Sequence, residues 1–191
     1  MCDPKAGAAS SFAAPVLPSD GGEGDLVFHP IPPEQDGHAT ILILGSFPSV
    51  ASRASAYFYG HPQNRFWQVM AGVMQDELPG TVEEKRTFLH RHHVALWDVL
   101  ASCRITGSAD SSIREARAND LRPLLSSNPI RAIYLSGKTA ERYYRALCLP
   151  SLGIPAVSLP STSPANAAYT LPRLLEAWQI IKSGAGETLP I

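Results

Sequence analysis

The chain has 191 residues, 45% of them hydrophobic, as suits one globular domain around a single buried core. It holds no run of about 18 apolar residues and no basic, then apolar, then small-residue succession at its start, so neither a membrane span nor secretion is expected. The net charge of −1 is unevenly spread: residues 1–36 carry one lysine against six carboxylates, and the remaining 155 carry fifteen basic against eleven acidic side chains, a mildly basic body compatible with a phosphate backbone.

Residues 1–26 are rich in Ala, Ser, Gly and Pro with little periodicity and read as a disordered tail. A domain over 27–182 follows, and 183–191 reads as a flexible C-terminal tail. Within the domain, short apolar runs alternate with helical patterns. Ala39–Leu44 leads directly into Gly45. The stretch Asn64–Met74 places Phe66, Trp67, Met70 and Val73 on one helical face. Thr81 and Glu84 form a capping box for a helix running to about His90. The run His93–Trp97 ends at Asp98. Helices are expected over Asn119–Leu125 and Thr139–Leu147, on either side of the run Ile130–Leu135. Ile154–Leu159 is the last apolar run, and a helix from Pro164 to about Lys182 is expected to be disturbed near Pro172. Runs of this length and apolarity suit strands buried on both faces. Their alternation with helices predicts an α/β fold with a parallel sheet. Ligands then bind beyond the carboxyl ends of the strands, so the loops after Leu44, Trp97, Leu135 and Leu159 should converge on one cleft.

Three of these stretches carry chemistry. Gly45-Ser46-Phe47-Pro48-Ser49 starts with a glycine that lets the backbone turn sharply and a ligand approach; it also fits a plain strand-to-helix turn. Tyr57–Trp67 packs five aromatics among His61, Gln63, Asn64 and Arg65. Aromatics stack on bases, and amides and Arg read base edges or phosphates. Phe66 and Trp67 fit equally well as core residues, and Asn64 as a helix N-cap. Pro160-Ser161-Thr162-Ser163-Pro164 is rigid and polar, suited to phosphates or a groove; it also fits a helix start with Ser163 as N-cap.

Taken together, GSFPS, YFYGHPQNRFW, LWDVLASCRITGSADSSI and PSTSPAN resemble the hypoxanthine (deoxyinosine) DNA glycosylases, a branch of the uracil-DNA glycosylase superfamily, over roughly Phe28 to Lys182. The resemblance implies a three-layer α/β/α sandwich with a central four-stranded parallel sheet. It implies a monofunctional glycosylase that excises a deaminated base from DNA. Hypoxanthine leads, with uracil or xanthine as further substrates. Asn64 matches the family's catalytic Asn. Gly45, Ser46, Phe47, Phe58 and Ser136 fall in the base pocket, and an aromatic of the stretch Tyr57–Phe66 stacks on the base, Phe58 being favoured over the others. Pro48, Ser49, His61, Arg65, Ser161, Thr162 and Ser163 fall on the DNA-facing side. Two departures stand out. Ser136 occupies a place where relatives often carry a base-binding Asn, and a hydroxyl cannot make an amide's paired contact. The last motif also lacks the His of the best-known uracil enzymes. These departures leave a catalytically weak lesion-binding module as an alternative, and a uracil-preferring glycosylase is a second one.

Asn64 cannot take a proton at neutral pH; its amide can orient water through oxygen or donate to the base through nitrogen. Asp98 and Asp110 stand at loop positions from which either can act on water or counter a sugar cation, or simply cap a helix or hold an arginine. Cys2, Cys103 and Cys148 have no zinc or iron–sulfur spacing, and the irregular His90–His93 cluster suits a solvated helix end, so no metal or cofactor is expected. The expected partner is DNA containing a deaminated base, bound by a monomer inside the cell, in the cytoplasm.

Overall fold

A computed structural model describes residues 24–184, and the reading of 1–23 and 185–191 as tails lies outside these residues. Strand β1 (Asp25–Phe28) begins inside the stretch read from sequence as tail. The central sheet contains β2 (Ile41–Gly45), β3 (Val94–Asp98), β6 (Ala132–Ser136) and β7 (Val157–Leu159) in the order β3-β2-β6-β7, all parallel. This is the parallel sheet expected from the alternation of apolar runs, with the four strands that the resemblance implies.

β2 lies at the centre and is buried on both faces, which explains its unbroken apolar run. Its side chains alternate between two cores. Ile41 and Ile43 pack with Phe66, Met70, Leu89 and Trp178 on one face. These come from α2 (Phe66–Met74), α3 (Val82–Arg91) and α7 (Leu171–Trp178). Leu42 and Leu44 face the other core, with Leu124, Ala140 and Tyr144. That side is covered by α4 (Arg122–Ser127), by α5 (Lys138–Tyr143) with the π-turn Tyr144–Cys148 and the short α6 (Leu149–Leu152) that continue it, and by a second sheet.

This second sheet is antiparallel, in the order β1-β4-β5, with β4 at Leu100–Ile105 and β5 at Arg114–Ala118. It is an addition to the expected sandwich. Its strands evade a period-two reading because the β4–β5 register shifts twice and Glu115 adopts a left-handed φ of 47°.

The Thr81–Glu84 capping box forms as expected. The final helix differs. Ser163 to Thr170 is non-helical, α7 starts at Leu171, and Pro172 occupies its first turn instead of disturbing an interior. A proline there sacrifices no hydrogen bond, because the first-turn N–H groups have no intrahelical partner. No helix among the described residues is long and apolar enough to cross a membrane.

Candidate active site

The carboxyl ends of β2, β3, β6 and β7 open into one cleft of about 910 Å³, lined by Gly45–Ser49, Asp98, Ser136 and the segment 158–166. The cleft falls in the size range of small-molecule and cofactor sites. The four loops singled out by the strand-end rule therefore converge. Asn64, His61, Phe58 and Tyr59 line the same cleft from the loop before α2, and Ser108–Ser111 close it from the far end of β4.

The Gly45 turn is fixed from beneath. Its carbonyl accepts from Val99 N–H at 2.9 Å, and the Ser46 carbonyl accepts from Leu100 N–H at 3.1 Å. A trans peptide points its N–H opposite its C=O. The N–H groups of Ser46 and Phe47 are thereby turned away from β4, on residues that line the cleft. Ser49 closes the turn as N-cap of α1 (Val50–Ser55), accepting from Ser52 N–H at 3.1 Å, and the Pro48 carbonyl accepts from Arg53 at 2.7 Å.

Asn64 is held in one orientation. Its Oδ1 accepts from the Phe66 backbone N–H at 3.0 Å and from the Thr162 hydroxyl at 2.8 Å. A backbone N–H can only donate, so the amide oxygen is identified by its partner. With both lone pairs of Oδ1 engaged, the free face of the side chain is its NH₂. Thr162 is 1% exposed, so its expected place on the DNA-facing side gives way to a buried link between the last loop and the amide.

Arg65 differs from expectation in the same way. Its guanidinium donates to the carbonyls of Thr162 (3.3 Å), Ser163 (2.7 Å), Asn166 (3.2 Å) and Tyr169. Four of its five N–H groups are therefore spent on the loop between β7 and α7. This arginine holds a loop and is not free for a phosphate. Arg65→Ala is expected to lower stability by about 2–4 kcal/mol. The salt slope of DNA binding should stay unchanged, whereas loss of a phosphate contact lowers it by about one. Thermal melts and a salt titration of DNA retention check both.

Of the rest of the expected DNA-facing set, Ser49, His61, Ser161 and Ser163 line the cleft with part of their surface exposed, whereas Pro48 is buried in its wall. His61 is exposed, and its Nδ1 accepts from Gln63 N–H. Ser161 and Ser163 are half-buried, the Ser161 hydroxyl accepting from Ser163 N–H at 3.2 Å. Gly137 has a φ of 99°, and a Cβ there would stand 2.9 Å from Ser161 Cβ, so the β6 and β7 loops meet where only glycine fits. Ser136 lines the cleft beside Tyr59.

Two rings of the expected aromatic stretch, Phe58 and Tyr59, line the cleft. Phe58 is 3% exposed and is packed against His29 and Tyr57, so it forms cleft wall. Tyr59 is only half-buried, stacks one face on Phe66 at 3.7 Å and 5°, and lines the cleft. Its hydroxyl is buried beside the Ser136 side chain. Burial and the nearby Asp98 raise its pKa, so the phenol stays protonated. Three consecutive aromatics offer no period by which to tell which ring points inward.

Neither carboxylate caps a helix or holds an arginine. Asp98 Oδ2 accepts from His29 Nε2 at 2.8 Å, with the two side chains 8% and 3% exposed. Asp110 accepts from the Ser46 hydroxyl at 3.1 Å. Burial raises the pKa of Asp110, with Asp98 adding to the shift. A raised acid favours the folded state while protonated, and that contribution is lost as pH rises through the shifted value. Asp110→Asn should therefore raise stability at neutral pH and flatten its decline above the ordinary carboxylate range; melting curves across pH test this. His29 was missed from sequence, being a lone histidine in a proline-flanked segment without periodicity.

No group of three potential metal ligands occurs among the described residues. His90 faces Glu34 at 3.2 Å, and His92 faces Asp76 at 2.7 Å.

Residues 32–182 match the model of the uracil DNA glycosylase superfamily. The chain is 33% identical to a hypoxanthine DNA glycosylase of Methanosarcina acetivorans over 148 residues, covering 76% of this chain and 92% of the relative. It is 31% identical to a hypoxanthine DNA glycosylase of Methanosarcina barkeri over 137 residues, covering 71% and 85%. A solution NMR structure of a candidate uracil DNA glycosylase from Methanosarcina acetivorans superposes with a TM-score of 0.69 at 31% identity, over 81% of this chain and 96% of that one.

Proposed function

The chain belongs to the uracil DNA glycosylase superfamily, and from that premise we propose that it hydrolyses the N-glycosidic bond of hypoxanthine in deoxyinosine-containing DNA. The observation that carries this reading is the double engagement of Asn64 Oδ1, which leaves the amide NH₂ as a fixed donor on the cleft.

The major-groove edge of guanine offers two acceptors, O6 and N7, whereas adenine offers N7 and an N6 amino donor. Hypoxanthine shares the guanine O6 and N7. A site of donors, made by the Asn64 amide and the Ser46 and Phe47 N–H groups, suits hypoxanthine and meets the adenine amino group donor to donor. Sites built to hydrogen-bond a substrate group reject analogues lacking it by about 10⁴–10⁵. Guanine pairs well in the duplex, and extrusion of a well-paired base costs more than that of a deaminated one.

As the C1′–N9 bond loosens, negative charge grows on the base and positive charge on the sugar. Donors on the cleft stabilise the first. The carboxylates of Asp98 and Asp110 lie where they can stabilise the second. Lys138 forms an ion pair with Glu141 at 3.0 Å, which argues for hydrolysis by water over a Schiff base. Tyr59 stacks on the extruded base, while Ser49, His61, Ser161 and Ser163 meet the DNA. One cleft encloses one nucleotide, so a single chain suffices, acting inside the cell on repair substrates.

The test uses labelled oligonucleotides with one inosine, uracil, xanthine or adenine, followed by alkali. Strand cleavage is expected with inosine and not with adenine. Retention of inosine DNA without an abasic product would favour the lesion-binding alternative.

A further inference from the structure

Asp98 lines the cleft, and His29 stands behind it, outside the lining, in an apolar shell. The His29 ring meets Phe47 at 5.9 Å, Trp97 at 6.3 Å and Phe58 at 6.4 Å. Its Nδ1 accepts from Ile31 N–H at 3.2 Å, so the ring proton sits on Nε2 and points at Asp98. The backbone carbonyl of Asp98 is held by Asn119 Nδ2 at 2.9 Å. A Cβ on Gly45 would stand 2.2 Å from Asp98 Oδ1 and 3.6 Å from the Tyr59 hydroxyl, so this oxygen reaches over the glycine on the side of Tyr59. Placing a carboxylate among rings is expensive unless it is paired, and here the pairing is made through Oδ2, to His29.

We propose that Asp98 is the catalytic base for the attacking water and that His29 is its positioning residue. The proposal rests on the hydrolytic reading above. The water oxygen forms a bond to C1′ as the C1′–N9 bond breaks and its electron pair stays on the base. The water proton passes to Asp98 Oδ1 and then to solvent, and the departing purine anion takes a proton from solvent. His29 keeps its Nε2 proton throughout, fixing Oδ2 so that Oδ1 faces the sugar. The titratable groups around Asp98 are His29 from the segment after β1, Tyr59 from the loop before α2 and Asp110 from the turn after β4.

The experiment is single-turnover release of hypoxanthine from an inosine duplex across pH, with the full chain and with Asp98→Asn, His29→Leu and His29→Gln. Asp98→Asn should slow release by about 10²–10⁴-fold and abolish the acid limb of the profile. His29→Leu should slow it by roughly tenfold or more and move that limb to higher pH, with DNA retention unchanged, because a carboxylate without its donor holds a proton more readily. His29→Gln, whose amide can donate to Oδ2, should restore most of the rate. A purely structural role for His29 predicts an unmoved limb and no rescue by glutamine. If His29→Leu fails to fold, Asp98→Asn and His29→Gln still decide. Asp98→Asn with native rate and limb overturns the proposal while leaving the glycosylase reading intact. No release by the unsubstituted chain overturns both.

Discussion

Replacing Asn64 by aspartate should leave the fold standing and slow base release by about 10²–10³-fold, the range seen when one fixed donor is removed from a dry site. The substitution keeps the oxygen that accepts from Phe66 N–H and Thr162 Oγ1. What it removes is the NH₂, and it sets a negative charge beside a base that is itself becoming anionic. Asn64→Ala differs in a second respect, because it strands both donors, each worth about 1–3 kcal/mol when buried and unsatisfied. Melting temperature separates the two variants: near native for aspartate, lowered for alanine. Single-turnover rates should place both far below the native chain. Full activity in Asn64→Asp would mean that the amide works through its oxygen.

Gly45→Ala should lose activity together with stability. The added Cβ would meet Asp98 Oδ1 at 2.2 Å. A clash with the end of a side chain is often relieved by rotation. Here Oδ2 is tied to His29 and the pair is enclosed by rings, so either the carboxylate or the strand end must move. Overpacking of this kind costs about 1–3 kcal/mol. The shift also displaces the Ser46 and Phe47 N–H groups from the base. Adding Asp98→Ala to Gly45→Ala should recover much of the stability lost to the clash without recovering activity, a coupling readable in a double-mutant cycle.

The central sheet was legible because β2 and β6 are short apolar runs closed by Gly45 and by Ser136-Gly137. The antiparallel sheet was not, since β4 and β5 are interrupted by bulges and charged residues at irregular spacing. The last helix was read too long because Pro164 and Pro172 both fit a helix start; burial of Leu174 and Trp178 selects the second. At the site, Asn64 and the Gly45 turn were visible as motifs, because glycine and a loop amide are rare choices after an apolar strand and before an apolar helix. Arg65 and Thr162 were assigned to the right loops with the wrong direction. Sequence places a donor but does not show whether nearby carbonyls consume it. His29 and Tyr59 emerge only when chain segments distant in sequence close around Asp98.

The most direct measurement is a crystal structure with a duplex carrying a 2′-fluorinated deoxyinosine, whose fluorine slows bond cleavage. It should find the hypoxanthine extruded between Tyr59 and the Gly45 turn, with Asn64 Nδ2 within about 3 Å of O6 or N7. A base left stacked in the duplex, or an extruded base bound away from the Asn64 amide, would contradict the account.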